Sequence, residues 1–274
     1  MMGSGSTVLI LGVQGTLGHR LALDLPGLGY EVMGTCRRSP VVLTGYGLQR
    51  YFQATDREAL DNLLQDMMPD VVVNCIGWVR QRPVEGWLSE AILVNAVLPH
   101  WLSETCGALG IGLVHISTDC VGDDDWYGAS KRLGENLEHG AVLRTSFIGH
   151  ELERRRGLLE WILSQQGAVD GYYNVRWSGL TTNELARVIG VYVIPALDGL
   201  AGKVWNVCGR DISKWQLLRR INEVYGCGLE IRPAREPWAD HRLDGTEFQA
   251  VTGYEPRPWQ QLLTEMREAE AVKA

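Results

Sequence analysis

The chain has 274 residues, 45% of them hydrophobic and 22% charged, which is typical of a globular protein with one large domain or one domain plus a smaller lobe. Its formal charge of −7 argues against a nucleic-acid surface, and no apolar run approaches the roughly 18 residues that a membrane span needs. The six cysteines are scattered, without a metal-ligand spacing, and the start lacks the features of a signal peptide. We therefore expect free thiols in the cytoplasm, no metal site, and neither a membrane nor a nucleic-acid partner.

The amino-terminal segment predicts a nucleotide-binding turn. A short buried strand, Thr7–Leu11, runs into three spaced glycines, and a helix is expected from His19 to Leu25. In such a unit the first glycine permits the tight turn, the second lets the backbone approach a pyrophosphate, and the third lets the helix lie close to the sheet. The free N–H groups of the helix N-terminus then face the phosphates. The predicted cofactor contacts here are Gly12, Gln14, Gly15, Thr16, Leu17 and Gly18.

The second predicted strand, Tyr30–Thr35, indicates which dinucleotide binds. A site that prefers NAD usually carries an acidic residue after this strand for the ribose 2′-hydroxyl, whereas arginine accommodates a 2′-phosphate. Here the strand runs into Cys36, Arg37 and Arg38, with no Asp or Glu. The sequence therefore favours NADP(H).

The following segments alternate between strand and helix patterns. The expected strands are 50–54, 71–77, 111–117 and 141–144, and the expected helices are 56–68, 87–106 (interrupted or kinked at Pro99) and 128–139. Strands that alternate with helices at this spacing predict an α/β fold with a doubly wound parallel sheet, the Rossmann architecture.

The later part of the chain is less regular. We expect helices over 158–166, 180–193 and 213–225, a strand over 203–207, and a final helix from Trp259. The predicted division is a Rossmann core over residues 7–150, with contributions from about 177–222, and a small substrate-binding lobe formed by 151–176 and 223–274.

Side chains suited to proton transfer follow the 111–117 strand. Ligands of open α/β sheets bind at the carboxyl edge of the strands, where Thr118 is expected to surface. Tyr127 and Lys131 stand four residues apart and so share one helix face. An ammonium group near a phenol stabilises the phenolate, so Lys131 is expected to lower the pKa of Tyr127 from its usual value near 10. The pair would then be a proton donor, with Thr118 holding the oxygen being protonated.

The ordered set of motifs resembles the extended short-chain dehydrogenase/reductase superfamily, and most closely its dTDP-4-dehydrorhamnose reductase-like branch. The matching segments run nearly from end to end: 12–18, 74–77, 94–95, 117–121, Tyr127-x-x-x-Lys131 with Gly134-Glu135, 143–146, 179–186, and 243–254.

This resemblance implies a hydride transfer from NADPH to C4 of a nucleotide-linked 4-keto-6-deoxy sugar. Thr118 would be the active-site hydroxyl, Tyr127 the acid/base, and Lys131 its partner and a ligand of the nicotinamide ribose. The further expected cofactor contacts are Asn74, Cys75, Ile76, Gly77, Asn95, Ser117 and Arg144. The expected substrate contacts are Trp78, Asp119, Trp177 and Arg242. A homodimer through the helices near 87–106 and 128–139 is also expected.

Dehydratases of the superfamily place a Glu after the Thr-Asp pair, and Cys120 there disfavours dehydration. Two other functions remain open at this point. An epimerase that retains NAD would use the same Thr and Tyr. A non-catalytic, NADP-binding regulatory subunit is the second alternative, because only eight residues separate Thr118 from Tyr127 and three of them are consecutive aspartates.

Overall fold

A computed structural model describes residues 5–37, 49–80, 86–152 and 156–271. The chain forms two compact units. Unit 1 comprises Met1–Arg144 and Ala186–Trp205, and unit 2 comprises Thr145–Leu185 and Asn206–Ala274. The assignment of cofactor and substrate binding to separate parts of the chain stays a prediction.

The secondary structure is as follows. The strands are β1 (Thr7–Leu11), β2 (Glu31–Cys36), β3 (Gln49–Tyr51), β4 (Val71–Asn74), β5 (Gly112–Ile116), β6 (Ala141–Arg144), β7 (Phe147–Ile148), β8 (Ala168–Tyr172), β9 (Val175–Trp177), β10 (Leu180–Thr181), β11 (Lys203–Asn206), β12 (Ile212–Ser213), β13 (Glu230–Ala234) and β14 (Ala239–His241). The helices are α1 (Thr16–Asp24), α2 (Arg57–Met67), α3 (Leu88–Ile92), α4 (Leu98–Leu109), α5 (Trp126–Leu133), α6 (Leu158–Leu163), α7 (Thr182–Val188), α8 (Leu197–Leu200), α9 (Lys214–Tyr225), α10 (Thr246–Thr252) and α11 (Trp259–Ala271).

The predicted doubly wound parallel sheet is confirmed. Seven strands lie in the order β11-β6-β5-β4-β1-β2-β3, and the pairings from β3 to β6 are all parallel. The strand order reverses between β1 and β4, which is where dinucleotides bind in this architecture. Strands β1, β4 and β5 consist almost entirely of buried apolar residues, as expected for strands covered on both faces.

One face of this sheet is covered by α2 and α4. Their apolar residues, among them Leu60, Leu64 and Leu102, pack with Leu9 and Leu113 of the sheet in one buried cluster. Helix α2 begins where expected, because the Asp56 carboxylate accepts a hydrogen bond from the Ala59 N–H at 3.0 Å and so caps the helix.

The helix expected over 87–106 contains an irregularity that the sequence did not reveal in full. Helices α3 and α4 are joined by one π-helical turn, Leu93–Val97, and Pro99 lies in the first turn of α4. The π turn thus precedes the proline, which lacks the N–H that a regular helix would use.

Helix α5 differs from the predicted 128–139 at both ends. It starts at Trp126 because the Asp125 carboxylate caps it through the Gly128 N–H at 2.8 Å. It ends at Leu133 and does not continue to His139. An added Cβ on the C-cap residue, Gly134, would lie 2.2 Å from the Asn95 carbonyl oxygen, so only glycine fits this close approach to the π turn.

Unit 2 has its own core around α9. Residues of α6, α9 and α11 pack with those of β8, β9 and β12, and the cluster includes Leu159, Ile221, Trp177, Trp259 and Leu263. The expected helix over 180–193 is divided into β10, α7 and a π-helical stretch, Ile189–Val193.

Within the described ranges, no helix is both long and apolar enough to cross a membrane.

Candidate active site

The glycine turn has the geometry of a pyrophosphate cradle. Gly12 has a φ of +86°, a conformation that favours glycine. A Cβ on Gly18 would lie 2.2 Å from the Gly12 carbonyl oxygen, so the helix start touches the turn. A Cβ on Gly15, by contrast, would meet only that same oxygen, at 3.3 Å, and Gly15 is exposed. The turn is therefore closed on its inner side and open at Gly15.

The N-terminus of α1 is available to an anion. Gly15 is the N-cap residue and has no side chain with which to cap the helix. The side chain of Leu17 is 2% exposed, so this residue offers a ligand only its backbone N–H. These N–H groups are the groups that bind phosphate at helix N-termini.

Strand β2 holds the turn in place through a contact that the sequence reasoning missed. The Thr35 hydroxyl accepts a hydrogen bond from the Gly12 N–H at 3.1 Å, and the backbone carbonyl of Thr35 accepts one from the Val13 N–H at 3.0 Å. Arg37 follows the strand and is exposed, as its predicted role in binding a 2′-phosphate requires. Arg38 lies outside the described residues.

The segment after β4 lies beside the glycine turn. The Cys75 N–H donates to the Leu11 carbonyl at 3.1 Å, and a Cβ on Gly12 would be 3.0 Å from the Ile76 side chain. A Cβ on Gly77 would be 3.9 Å from Lys131 Nζ. The structure therefore brings 12–18, 74–77 and Lys131 together, as predicted. Burial raises the pKa of the Cys75 thiol to about 12, although nearby Lys131 lowers it, so the thiol is neutral.

The buried side chain of Asn74 orients this segment. Its Oδ1 accepts from the Ile76 N–H at 3.1 Å, which leaves the amide Nδ2 to donate to His115 Nδ1 at 3.0 Å. Burial, with lesser contributions from the positive charges of Lys131 and His100, holds the pKa of His115 well below its usual range. The imidazole is therefore neutral. Its Nδ1 carries no proton and can accept the hydrogen bond from the Asn74 amide.

Asn95 likewise positions backbone. Its amide pairs with the backbone of Trp78, accepting from the N–H at 2.8 Å and donating to the carbonyl at 3.0 Å, and it also donates to the Ser130 hydroxyl at 3.0 Å. Asn95 is fully buried and lies in the π turn. Its side chain thus joins the 77–78 segment to helix α5, and a direct cofactor contact by this side chain does not follow from the structure.

Thr118 and Tyr127 lie near each other. The Thr118 hydroxyl is close enough to lower the pKa of Tyr127, and Thr118 Oγ1 accepts from the Cys120 N–H at 3.2 Å. Thr118 is the N-cap of a short 3₁₀ turn, Asp119–Gly122, and Asp119 Oδ1 lies 3.3 Å from the threonine hydroxyl. The loop of eight residues is therefore long enough to bring the phenol near the threonine.

The expected effect of Lys131 on Tyr127 is wrong for this structure. Burial raises the pKa of Tyr127 to about 12, while the hydrogen bond from Thr118 and the charge of Arg80 lower it. The Lys131 ammonium instead donates to the Ile116 carbonyl at 2.8 Å. Burial lowers the pKa of Lys131 to about 8, opposed by the charge of Glu135. At neutral pH the phenol is a protonated donor and the lysine is largely charged.

Two residues that are predicted to contact the cofactor, Ser117 and Arg144, donate to a buried carboxylate. Glu135 is 4% exposed and accepts from Arg144 Nη2 at 2.6 Å and from the Ser117 hydroxyl at 2.6 Å. Arg144 Nε also lies within 3.0 Å of both carboxylate oxygens. This network engages both side chains, and a cofactor contact by Ser117 or Arg144 stays a prediction. The Gly134-Glu135 pair was noticed in the sequence only as part of a motif.

The expected substrate contacts divide into two groups. Trp78 and Trp177 are 2% and 4% exposed, and their rings pack against Trp87 and Trp259 respectively. Both rings are therefore largely covered in this structure, and their contact with a substrate stays a prediction. Asp119 is half-buried beside Thr118. In unit 2, Arg242 is exposed, and its guanidinium is paired with Asp240 at 2.5 Å.

Arg80 also lies at Tyr127, a contact that the sequence did not predict. The guanidinium of Arg80 lies 5.4 Å from the centre of the phenol ring and forms ion pairs with Asp123 and Asp125 at 2.6 and 2.8 Å.

A surface cleft of about 730 Å³, lined by β3, the start of α2 and Trp101, contains none of Thr118, Tyr127 and Lys131. We place the chemistry at Tyr127 and not in this cleft, because Thr118 and Lys131 lie near Tyr127.

Comparison with known protein families identifies the family of the chain. The family model described as the RmlD substrate binding domain matches residues 6–148, more than half of the chain. The chain belongs to the RmlD substrate binding domain family. The matched residues of this RmlD-family chain include the glycine turn, the 74–77 segment and Thr118, Tyr127 and Lys131.

Curated relatives of this RmlD-family chain include two kinds of protein. It is 28% identical over 267 residues to the dTDP-4-keto-6-deoxy-D-glucose reductase of Streptomyces niveus, covering 88% of this chain and 85% of that one. It is 27% identical over 173 residues to methionine adenosyltransferase 2 subunit beta of Xenopus tropicalis, covering 55% of this chain and 49% of that one. The chain spans about half the length of several other relatives, 54% and 46% in two cases.

Solved structures agree on the fold. The dTDP-4-dehydrorhamnose reductase of Bacillus anthracis, in complex with NADP, has a TM-score of 0.79 at 17% identity and covers 97% of this chain and 99% of its own. The UDP-glucose 4-epimerase of Thermotoga maritima has a TM-score of 0.76 at 17% identity, with the same coverage. A reductase and an epimerase thus have comparable TM-scores, so the likeness establishes the fold of the RmlD-family chain and leaves the reaction to be argued from its residues.

Proposed function

We propose that the chain is an NADPH-dependent reductase of a nucleotide-linked 4-keto-6-deoxy sugar. The observation that carries the proposal is the placement of the Thr118 hydroxyl near the Tyr127 phenol, one helical turn from a buried Lys131. The printed names of the Streptomyces niveus and Bacillus anthracis relatives describe reductases of this substrate class.

The residues of the glycine turn fit a dinucleotide. Gly15 is the exposed position of the turn, and a side chain there would fill the space over the N-terminus of α1. Arg37 supplies the positive charge for a 2′-phosphate, and the region after β2 has no acidic residue at the corresponding place. Lys131, beside Gly77, would donate to the nicotinamide ribose. When bound, NADPH supplies the hydride that reduces the carbonyl carbon.

The chain itself supplies the proton. As the carbonyl carbon gains the hydride, its oxygen gains negative charge and takes the proton from the Tyr127 hydroxyl. The Thr118 hydroxyl would hydrogen-bond to the carbonyl oxygen and to the Tyr127 hydroxyl, and would so fix the positions of both. The phenolate that remains is stabilised by the Thr118 hydroxyl and by the positive charge of Arg80. A phenol whose pKa is about 12 is fully protonated at neutral pH, which suits a donor in the direction of reduction.

Oxidation of NADPH, followed at 340 nm with dTDP-4-keto-6-deoxyglucose or its 4-keto rhamnose epimer, tests the proposal. Tyr127→Phe is expected to lower kcat by about 10²–10⁴-fold, since positioned general acids contribute that much. Tyr192→Phe is the control, because Tyr192 lies in the separate π-helical stretch Ile189–Val193. Absence of turnover, or full activity of Tyr127→Phe, would contradict the proposal.

A second candidate is a cofactor-binding regulatory subunit. It is favoured by the short loop after Thr118, in which three consecutive aspartates stand between the 3₁₀ turn and α5, and by the similarity to methionine adenosyltransferase 2 subunit beta. A partner enzyme that co-purifies with the chain and changes its kinetics on binding would support this candidate, and turnover by the isolated chain would count against it. An epimerase would instead retain NAD through purification and consume no NADPH.

A further inference from the structure

The short loop before α5 carries an unusual amount of negative charge next to the phenol. Asp123, Asp124 and Asp125 lie two to four residues before Tyr127, and Asp119 lies beside Thr118. Negative charges near a phenol oppose formation of its phenolate, and they do so more strongly where water is excluded. A proton donor at this position therefore requires a compensating positive charge.

Arg80 provides that charge and is held in a defined geometry. Its Nη2 donates to Asp123 Oδ2 at 2.6 Å, and its Nε pairs with Asp125 Oδ2 at 2.8 Å. One guanidinium therefore bridges two carboxylates of the loop, as the planar fork of arginine allows. The same guanidinium lies 5.4 Å from the centre of the Tyr127 ring, within the range of a cation–π contact.

Asp125 connects this ion pair to the helix that carries the phenol. While Oδ2 pairs with Arg80, Oδ1 accepts from the Gly128 N–H at 2.8 Å and caps α5. Arg80 follows β4 by six residues, and it lies two residues after Trp78, whose backbone is held by Asn95. A continuous set of contacts therefore runs from the π turn through Arg80 and Asp125 to the first turn of α5.

We propose that Arg80 is a positioning residue for Tyr127, fixing the 119–125 loop and the first turn of α5 and offsetting the loop carboxylates as the phenol loses its proton. The inference rests on the proposed role of Tyr127 as the proton donor.

Steady-state kinetics with the full chain test the charge. Arg80→Gln is expected to lower kcat by about tenfold, with the KM for NADPH unchanged, because the cation acts where charge develops and not on the cofactor. Arg80→Lys keeps the charge but not the fork, and is expected to recover part of the rate. The double variant Arg80→Gln/Asp123→Asn is also expected to recover part, since one uncompensated carboxylate is gone. A purely structural role predicts no such recovery.

Hydrogen exchange measured by mass spectrometry tests the positioning without any sugar. Peptides covering 119–130 are expected to exchange faster in Arg80→Gln than in the native chain. Arg57→Gln is the matched control, because Arg57 also pairs with two carboxylates, Asp61 and Glu104, and lies over the ring of Trp101. This control is expected to leave exchange at 119–130 unchanged.

The two measurements separate the two proposals. If the native chain reduces no 4-keto sugar, the proposed function fails, and hydrogen exchange alone decides whether Arg80 positions the loop. Unchanged exchange at 119–130 in Arg80→Gln overturns the inference in either case. With an active native chain, a double variant no faster than Arg80→Gln also overturns it, because the charge would then play no part.

Discussion

Substitution of Glu135 by Gln tests the buried ion pair beneath the active site. The carboxylate is 4% exposed and accepts 2.6 Å hydrogen bonds from Arg144 and from Ser117. Removing one partner of a buried ion pair typically costs about 3–5 kcal/mol, because the other charge is left without compensation. The Arg144 side chain is 32% exposed, so water partly solvates it, and Gln retains an oxygen for Ser117. We therefore expect a loss of about 2–3 kcal/mol in the free energy of unfolding.

Urea unfolding at pH 7, followed by far-UV circular dichroism, measures this loss. Midpoint and slope are both compared, because a chain with two compact units need not unfold in one step. Glu138→Gln is the control, since Glu138 is exposed and lies three residues along the same connection, and its effect is expected to stay within about 0.5 kcal/mol. A Glu135→Gln variant as stable as the control would refute the reasoning that this ion pair stabilises the fold.

Three further outcomes are expected. Gly18→Ala should destabilise the chain, because its Cβ would lie 2.2 Å from a backbone oxygen, whereas Gly15→Ala should fold normally and lose NADPH binding, as thermal unfolding with and without NADPH will reveal. The pKa of Lys131 is lowered to about 8, so its ammonium loses its charge as the pH rises through that value. The Kd for NADPH, measured by fluorescence, should therefore be higher at pH 9.5 than at pH 7. An unchanged Kd would contradict the role of Lys131. Asp56→Ala removes the cap of α2 and should cost about 1 kcal/mol in urea unfolding, and no change would mean that the cap is not stabilising.

The sheet was predictable because its strands carry their own signal. Thr7–Leu11 and Ala141–Arg144 form at the predicted bounds, since short runs of buried apolar residues between turn residues have few alternatives. Helix ends were less predictable, because they depend on which of several candidate residues caps the helix. Three consecutive aspartates precede α5, and nothing in the sequence identified Asp125 as the cap.

The site was predictable where a motif fixes the backbone, and less so where side chains choose partners across the fold. The glycine turn, the 74–77 segment and Lys131 come together as predicted. The use of Arg144 by Glu135 and the contact of Arg80 with Tyr127 depend on partners 9 and 47 residues away, and arginine can pair with many acidic groups. The pKa of Tyr127 was wrongly expected to be low because burial, which raises it, does not appear in a four-residue spacing.

The π turn between α3 and α4 contains one more residue than a regular helix would need to cover the same distance. Deleting a single residue there would restore regular winding with α3 and α4 in register, but it would move the residues of the turn itself to other positions around the helix axis. The amide of Asn95 would then point away from Trp78, and the backbone leading to Arg80 would lose its anchor. The register of this helix is thus part of the active-site architecture, and one-residue deletions in it should abolish activity even where the helix itself survives.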